Sequence, residues 1–295
     1  METKQKGTLY LIATPIGNLE DITLRALRIL KEVDLVAAED TRHTRQLLNH
    51  FEIATKLIRY DEHNKELAGE EIIAKLLAGD QIGLVSDAGM PGISDPGSDL
   101  VRKAMAAKIT IVPLPGANAG LTALIASGLS TESFFFEGFL PRTDRKQKDR
   151  LEELRTIPGT LIFYEAPHRL VKTLQICKDV LGNRTAGWGR ELTKKFETFE
   201  QGSLEELIHL CNVTEPRGEY VVLIDGWAEK WDELKGEVPE ILLPQDRLAE
   251  LIEQGITKKE AARQVAKEYN LSRREVYQWT VDEKRLLREK TQVSY

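Results

Sequence analysis

The chain has 295 residues, of which 30% are charged and 41% hydrophobic, and it carries a formal net charge of −6. That length and balance describe a soluble globular protein with room for one large or two medium cores, and exclude a disordered or membrane-spanning chain. The acidic balance argues against a protein that coats nucleic acid without specificity, while leaving room for a local basic surface.

The opening METKQKGTLYLIATPIG does not read as a secretory signal, because its apolar run is short and ends in turn residues. TLYLIAT (8–14) reads as a strand and DITLRALRILKEV (21–33) as an amphipathic helix with Asp21 as its N-cap. DLVAAED (34–40) and KLIRY are further strands, the latter followed by a helix over roughly 65–78. The run IGLVS ends in a loop dense in Gly, Pro and Asp, the whole reading IGLVSDAGMPGISDPG (82–97), and a helix SDLVRKAMAAK follows. ITIVPL (109–114) completes the series, and PLPGANAG (113–120) opens a helix of small residues. Strands separated by helices imply βαβ units and a mostly parallel sheet.

A second pattern begins near Ser133, with strands SFFFEGFL, TLIFYEA, TAGWGREL, FETFEQGS and EYVVLIDGW and helices near 144–156, 168–181 and 203–212. TAGWGREL and FETFEQGS are joined without room for a helix, so this sheet is partly antiparallel. From Trp227 a charged, Pro-containing segment reads as a linker, and residues 245–295 offer helix patterns alone. Thr257 with Glu260, and Ser272 with Glu275, have capping-box spacing. Ala261 and Ala262 inside one helix, with Asn270 at the turn, fit a helix-turn-helix. Such a unit serves either nucleic-acid contact or plain packing. Cys177 and Cys211 are the two cysteines, and no Cys/His cluster has zinc-site spacing. They read as buried apolar groups, a disulfide being the alternative, and the cytoplasm is the expected compartment.

Three loops, TPIGNLED (14–21), SDAGMPG (86–92) and PGANAG (115–120), each follow a strand and are expected to converge at one end of the first sheet. None holds a Walker motif or a full GxGxxG fingerprint. Gly17, Gly89 and Gly116 permit backbone approach to a ligand beside the carboxylate Asp87, which suits hydroxyls and a positive centre better than a triphosphate. AEDTRHT (38–44) packs Glu39, Asp40, Arg42 and His43 at another strand end, where Asp40 or Thr41 also suits a helix cap. Glu165, His168, Arg169, Arg190, Glu191 and Lys194 follow apolar strands of the second half. The basic run RTDRKQKDR (142–150) reads as a solvated loop or as a phosphate-contacting patch.

Together, LYLIATPIGNLEDIT, AEDTRHT, VSDAGMPGISDPG, LPGANA, FFFEGFLPR, YEAPHR and RELTKKFE resemble the ribosomal RNA small-subunit methyltransferase I family, a branch of the tetrapyrrole-methylase-like enzymes that use S-adenosylmethionine. The resemblance covers almost the whole chain, in order. It implies a two-lobed α/β fold of the class III methyltransferase type with a small all-helical C-terminal domain. The corresponding divisions are 1–120, 121–228 and 229–295. It also implies a homodimer without a membrane segment, and methyl transfer to the ribose 2′-hydroxyl of a cytidine in the decoding region of small-subunit (16S) ribosomal RNA, free or in the assembled subunit.

Carried over by position, the donor pocket comprises Pro15, Ser86, Asp87, Ala88, Gly89, Met90, Pro91, Pro115, Gly116, Asn118, Ala119, Tyr164, Glu165 and Ala166, with the Arg190 and Gly218 regions nearby. Charge clustering at strand ends places Glu39 or Asp40 from the first lobe, and Glu191 or Lys194 from the second, at the acceptor oxygen. The same clustering puts Arg42 and Arg190 on RNA phosphates, and the basic run on an otherwise acidic chain adds Arg142, Arg145, Lys146 and Lys148. No metal is expected, since a sulfonium donor is already activated. Rival readings are a methyltransferase of a small tetrapyrrole-like molecule and a non-enzymatic RNA-binding assembly factor. The basic run and the helical tail favour the RNA enzyme over the first rival, and the intact loops favour it over the second.

Overall fold

The computed structural model describes residues 5–227, 244–269, 271–274 and 276–279. Contacts divide the chain into two compact units, Met1–Ala228 and Glu229–Tyr295. The first unit holds two five-stranded sheets.

The first sheet has the order β3-β2-β4-β1-β5, and all its pairings are parallel. Its strands are β1 (Thr8–Ile12), β2 (Leu35–Ala38), β3 (Lys56–Arg59), β4 (Ile82–Val85) and β5 (Thr110–Leu114). β4 is central and every residue in it is buried, which is why it reads as an unbroken apolar run. Helices α1 (Leu24–Glu32), α2 (Thr41–His50), α3 (Lys65–Ala78) and α4 (Gly97–Ala106) return the chain between strands. Apolar clusters lie on both faces of the sheet, one around Leu9, Ile72 and Leu100 and the other around Ile12, Leu30 and Leu48. Parallel strands bring the loops after β1, β2, β4 and β5 to one edge, where open α/β folds bind ligands.

The N-cap of α1 is Thr23, whose side chain accepts from the Ala26 amide, and not the expected Asp21. Residues Leu19–Asp21 form a separate 3-10 turn capped by Asn18, and the chain returns to extended backbone before α1 begins. Asp40 caps α2 by accepting from the Arg42 amide.

Helix α5 (Ala119–Ala126), capped by Asn118, leads into the second sheet, of order β6-β7-β10-β8-β9. Here β6 (Phe134–Phe139) and β7 (Thr160–Glu165) are parallel, whereas β8 (Thr185–Arg190), β9 (Thr198–Ser203) and β10 (Tyr220–Ile224) pair antiparallel. Helices α6 (Asp144–Leu154), α7 (Pro167–Leu181) and α8 (Leu204–Val213) bury one face around Leu151, Leu170, Leu174 and Leu204. Proline at the first position of α7 costs no hydrogen bond there, and Ser203 with Glu206 completes a capping box on α8. The basic run at 142–150 falls mostly within α6 and is not a loop, because buried Gln147 and Leu151 give it a helical inward face. Cys177 and Cys211 are buried and unbridged.

In the second unit, α9 (Pro244–Glu253) packs with α10 (Lys258–Glu268) through Leu248, Leu251, Ala261, Ala262 and Val265. Thr257 caps α10 by accepting from the Glu260 amide. The expected linker after Trp227, Asn270 at the turn and the Ser272–Glu275 pair lie wholly or partly outside the described residues.

Candidate active site

The loops after β1 and β4 are joined by backbone. The Thr14 amide donates to the Gly89 carbonyl at 2.9 Å and the Gly89 amide returns a bond to the Thr14 carbonyl at 3.1 Å. Gly89 has φ +80°, and a Cβ there would lie 3.2 Å from the Ala117 carbonyl oxygen and 3.3 Å from Ile16. One glycine therefore marks where the loops at 14–21, 86–92 and 115–120 meet. The loop after β1 also reaches the second sheet, since a Cβ on Gly17 would fall 2.5 Å from Lys194 Cγ.

The second sheet faces this junction with one edge. Tyr220, the first residue of β10, is in register with Glu165 at the end of β7 and with Arg190 at the end of β8. Between the two edges lies a cavity of about 600 Å³, a size that holds a nucleoside-sized ligand. Its walls include Ser86, Asp87, Ala88, Gly89 and Met90 from the loop after β4, and Asn118 and Ala119 at the start of α5. Tyr164, Glu165 and Ala166 from the end of β7 also line it, as do Glu39 and Lys194. Pro15, Pro91, Pro115 and Gly116 do not line it. Gly116 instead packs on Ala13, whose Cβ would be 2.6 Å from a Cβ at that position.

The charged residues separate by what each already bonds. Asp87 Oδ1 accepts from the Asp40 amide at 2.9 Å, tying the end of β2 to the loop after β4. Asp95 accepts from the Gly92 and Gly97 amides and so fastens the far side of that loop. Partial burial, then the charges of Asp87, Asp95 and Asp61, raises the Glu39 carboxyl above its ordinary value. The Asp40 carboxylate is committed to the Arg42 guanidinium and to the α2 cap, and these bonds hold it far below the carboxylate range. Arg42 is exposed and, apart from Asp40, open to solvent.

Lys194 Nζ donates to Glu191 Oε1 at 3.0 Å and Glu219 Oε2 at 2.9 Å. Burial alone would lower this ammonium, but the two carboxylates outweigh it and raise it. Glu191 also accepts from the Glu219 amide at 3.0 Å. Although burial opposes ionisation of Glu191, Lys194 and that amide hold it below its ordinary value. Glu191 does not line the cavity, and its backbone, like that of Thr193, takes positive φ in the tight turn that carries Lys194 into place. Arg190 donates to the Arg217 carbonyl. Arg142, Arg145, Lys146 and Lys148 are exposed.

Glu165 is almost wholly buried. It accepts from the Thr173 hydroxyl at 2.6 Å and the Ala166 amide at 2.9 Å, and Thr173 in turn accepts from Gln147. This network fixes the Tyr164–Ala166 wall from behind. Glu219, Tyr220 and Val221 also line the cavity. Attention to the carboxyl ends of strands misses them, because they open β10, whose antiparallel direction puts its amino end at the shared edge. Among the described residues, no group of three His, Cys, Asp or Glu side chains is arranged to hold a metal ion.

A family model described as Tetrapyrrole (Corrin/Porphyrin) Methylases matches residues 8–208. The chain is 52% identical to a protein of Halalkalibacterium halodurans named ribosomal RNA small subunit methyltransferase I, over 92% of this chain and 94% of the relative. It is 47% identical to a protein of the same name from Bacillus subtilis, over 92% and 93% of the two chains. Its fold is similar to the crystal structure of a uroporphyrin-III-C-methyltransferase from Thermus thermophilus. There the TM-score is 0.51 at 21% identity, covering 78% of this chain and 99% of the other.

Proposed function

The chain belongs to the ribosomal RNA small-subunit methyltransferase I family of the tetrapyrrole methylases, and from that membership we propose that it methylates small-subunit ribosomal RNA with S-adenosylmethionine as donor. The acceptor in this reading is the ribose 2′-hydroxyl of a cytidine in the decoding region. The observation that carries it is identity of about half over more than nine-tenths of the chain to relatives named for that RNA, joined to a cavity at the junction of both sheets.

The residues present fit the donor. Glu39, Asp87 and Asp95 give this end of the cavity negative potential suited to a cationic ligand. Asn118 and the bare backbone of the loop after β4 offer polar contacts, and Ile16, Met90, Ile93 and Leu192 offer an apolar wall. Bound there, S-adenosylmethionine supplies a methyl group activated by its sulfonium charge.

The chain's own part is to position, deprotonate and stabilise. Of the four charged residues expected at the acceptor oxygen, Glu39 is the one suited to take the hydroxyl proton. It lines the cavity, its carboxylate has no hydrogen-bond donor among the described residues, and its affinity for a proton is raised. Asp40 is spent on Arg42 and a helix cap. Lys194 stays protonated and is suited to stabilise a developing oxyanion, with Glu191 and Glu219 holding it in place. Exposed Arg142, Arg145, Lys146 and Lys148 are suited to RNA phosphates.

We further read the enzyme as cytoplasmic and homodimeric. Leu121 and Ile125, one turn apart on α5 and 45% and 77% exposed, support an apolar contact between copies. Among the described residues, no helix is long and apolar enough to cross a membrane.

The test is to incubate the protein with methyl-labelled donor and either free small-subunit RNA or assembled subunits, then map the label. Label on one cytidine ribose supports the reading. Label on a base, or none on RNA and transfer to a tetrapyrrole, overturns it.

A further inference from the structure

Phe139 is 60% exposed, yet it lines the cavity. It closes β6 just after the strand's irregularity between Phe136 and Gly138, where Gly138 takes φ +78°. Its ring meets Tyr164 edge-on, with centroids 5.4 Å apart and planes at 65°. Tyr164 is braced in the same way by Phe136, at 5.2 Å and 70°. On the other side, Leu140 is buried, and the Arg169 guanidinium donates to the Leu140 and Pro141 carbonyls at 3.4 and 3.1 Å. The backbone on both sides of Phe139 is therefore fixed, and the ring stands at the cavity mouth with more than half its surface in water.

From there the chain runs directly into Arg142, Arg145, Lys146 and Lys148, all exposed and none in an ion pair within the described residues. Lys148 acts on the nearby Asp144 carboxylate through charge alone, without a contact ion pair. A preorganised aromatic ring joined to exposed cations is the combination that binds single-stranded nucleic acid. The cations follow the phosphates, and the ring stacks on a base whatever its identity. A duplex offers no free base faces, so a ring of this kind selects unpaired RNA.

We propose that Phe139 is the stacking platform for an unpaired base of the RNA acceptor, at or next to the nucleotide that is methylated. This rests on the RNA reading above and adds to it that the target segment binds single-stranded. Phe139 then acts chiefly on acceptor binding and positioning, reaching the donor side of the cavity only through Tyr164 and leaving the proton transfer to other residues.

The experiment measures binding of the full-length protein to a short single-stranded RNA carrying the target cytidine, and to the same strand in a duplex, at fixed salt. Phe139→Ala, Phe139→Trp and, as a control at the far end of β6, Phe134→Ala (45% exposed) are compared with the unmodified protein. Donor affinity is titrated calorimetrically for each. Phe139→Ala is expected to weaken single-strand binding and raise the KM for RNA about 5- to 100-fold, the range for loss of one stacked base. Duplex binding and the salt slope should stay unchanged, and donor affinity, which Phe139 can reach through its contact with Tyr164 in the cavity wall, should change by far less than RNA affinity. Phe139→Trp should restore binding and Phe134→Ala should leave it intact.

Three results would overturn the proposal while leaving the RNA reading standing: unchanged RNA binding in Phe139→Ala, a matching loss of donor affinity, or conversion of a dimer to a monomer. They would place the ring nowhere of consequence, on the donor, or at an interface between copies. If the unmodified protein labels neither free small-subunit RNA nor assembled subunits, the RNA reading itself fails and the platform with it; if it labels one of them but does not bind the short single strand, the platform alone is overturned.

Discussion

The amide of Asp40 donates to Asp87 Oδ1 at 2.9 Å, so the carboxylate expected to position the donor also locks the end of β2 against the loop after β4. Glu39 precedes the bonded amide, and the same contact thereby sets the position of the candidate base. A residue read from sequence as a ligand contact thus has a second task inside the protein.

Asp87→Ala should therefore impair both binding and chemistry. Loss of a charge-assisted bond and of a cavity carboxylate is expected to weaken S-adenosylmethionine binding about 10- to 100-fold. It should also lower kcat at saturating donor, because Glu39 is released. Calorimetric titration and saturated turnover separate the two effects, and unchanged values in both would refute the dual role.

Glu39→Gln should lower kcat about 10²- to 10⁴-fold while leaving donor affinity within a few fold. The Glu39 carboxyl is raised, first by burial and then by Asp87, Asp95 and Asp61. For a raised carboxylate, the folded state resists ionisation, so stability is lost as pH climbs from the ordinary value of 4.5 through the raised one. The neutral variant should consequently melt at a slightly higher temperature than the parent at pH 7, and the gain should vanish at pH 4. In the parent, kcat should fall as pH drops through the raised value, and the variant should lack that acid limb.

Lys194→Met should cost about 10²-fold in kcat by removing a cation from the cavity. Lys194→Arg should recover part of it. Since Glu191 acts through Lys194, Glu191→Gln should have a smaller effect on kcat. Equal losses in the two single variants and their double variant would show that they act as one unit.

Gly89→Ala tests the convergence of the loops. A side chain at φ +80°, 3.2 Å from the Ala117 carbonyl oxygen, should destabilise the fold by about 1–3 kcal/mol in denaturant titration and weaken donor binding.

Thr173→Val should cost about 1–3 kcal/mol, because Glu165 and Gln147 would each lose a partner in a dry interior. Thr173→Ser should restore most of it. A valine variant as stable as the parent would show that this network contributes nothing to the cavity wall.

Much was decided by local chemistry. The parallel first sheet, the mixed second sheet and the loops at 86–90 and 118–119 that line the cavity were readable because periodicity and turn residues act over a few neighbours. The caps divided on the same scale: Asp40 serves α2 as read, whereas Asp21 lost to Thr23 because a 3-10 turn intervenes. Which charges remain available was decided only by the tertiary structure. Glu39 and Asp40 are adjacent in sequence, yet one faces the cavity among other carboxylates while the other is neutralised by Arg42. Glu219 and Tyr220 reach the site because β10 runs antiparallel to β7, and Phe139 stands at its mouth because Tyr164 and Arg169 hold it there. Composition and spacing determine which groups a chain can bring to a site. Burial, strand direction and competing partners set their protonation and their reach, and those arise only when distant segments pack.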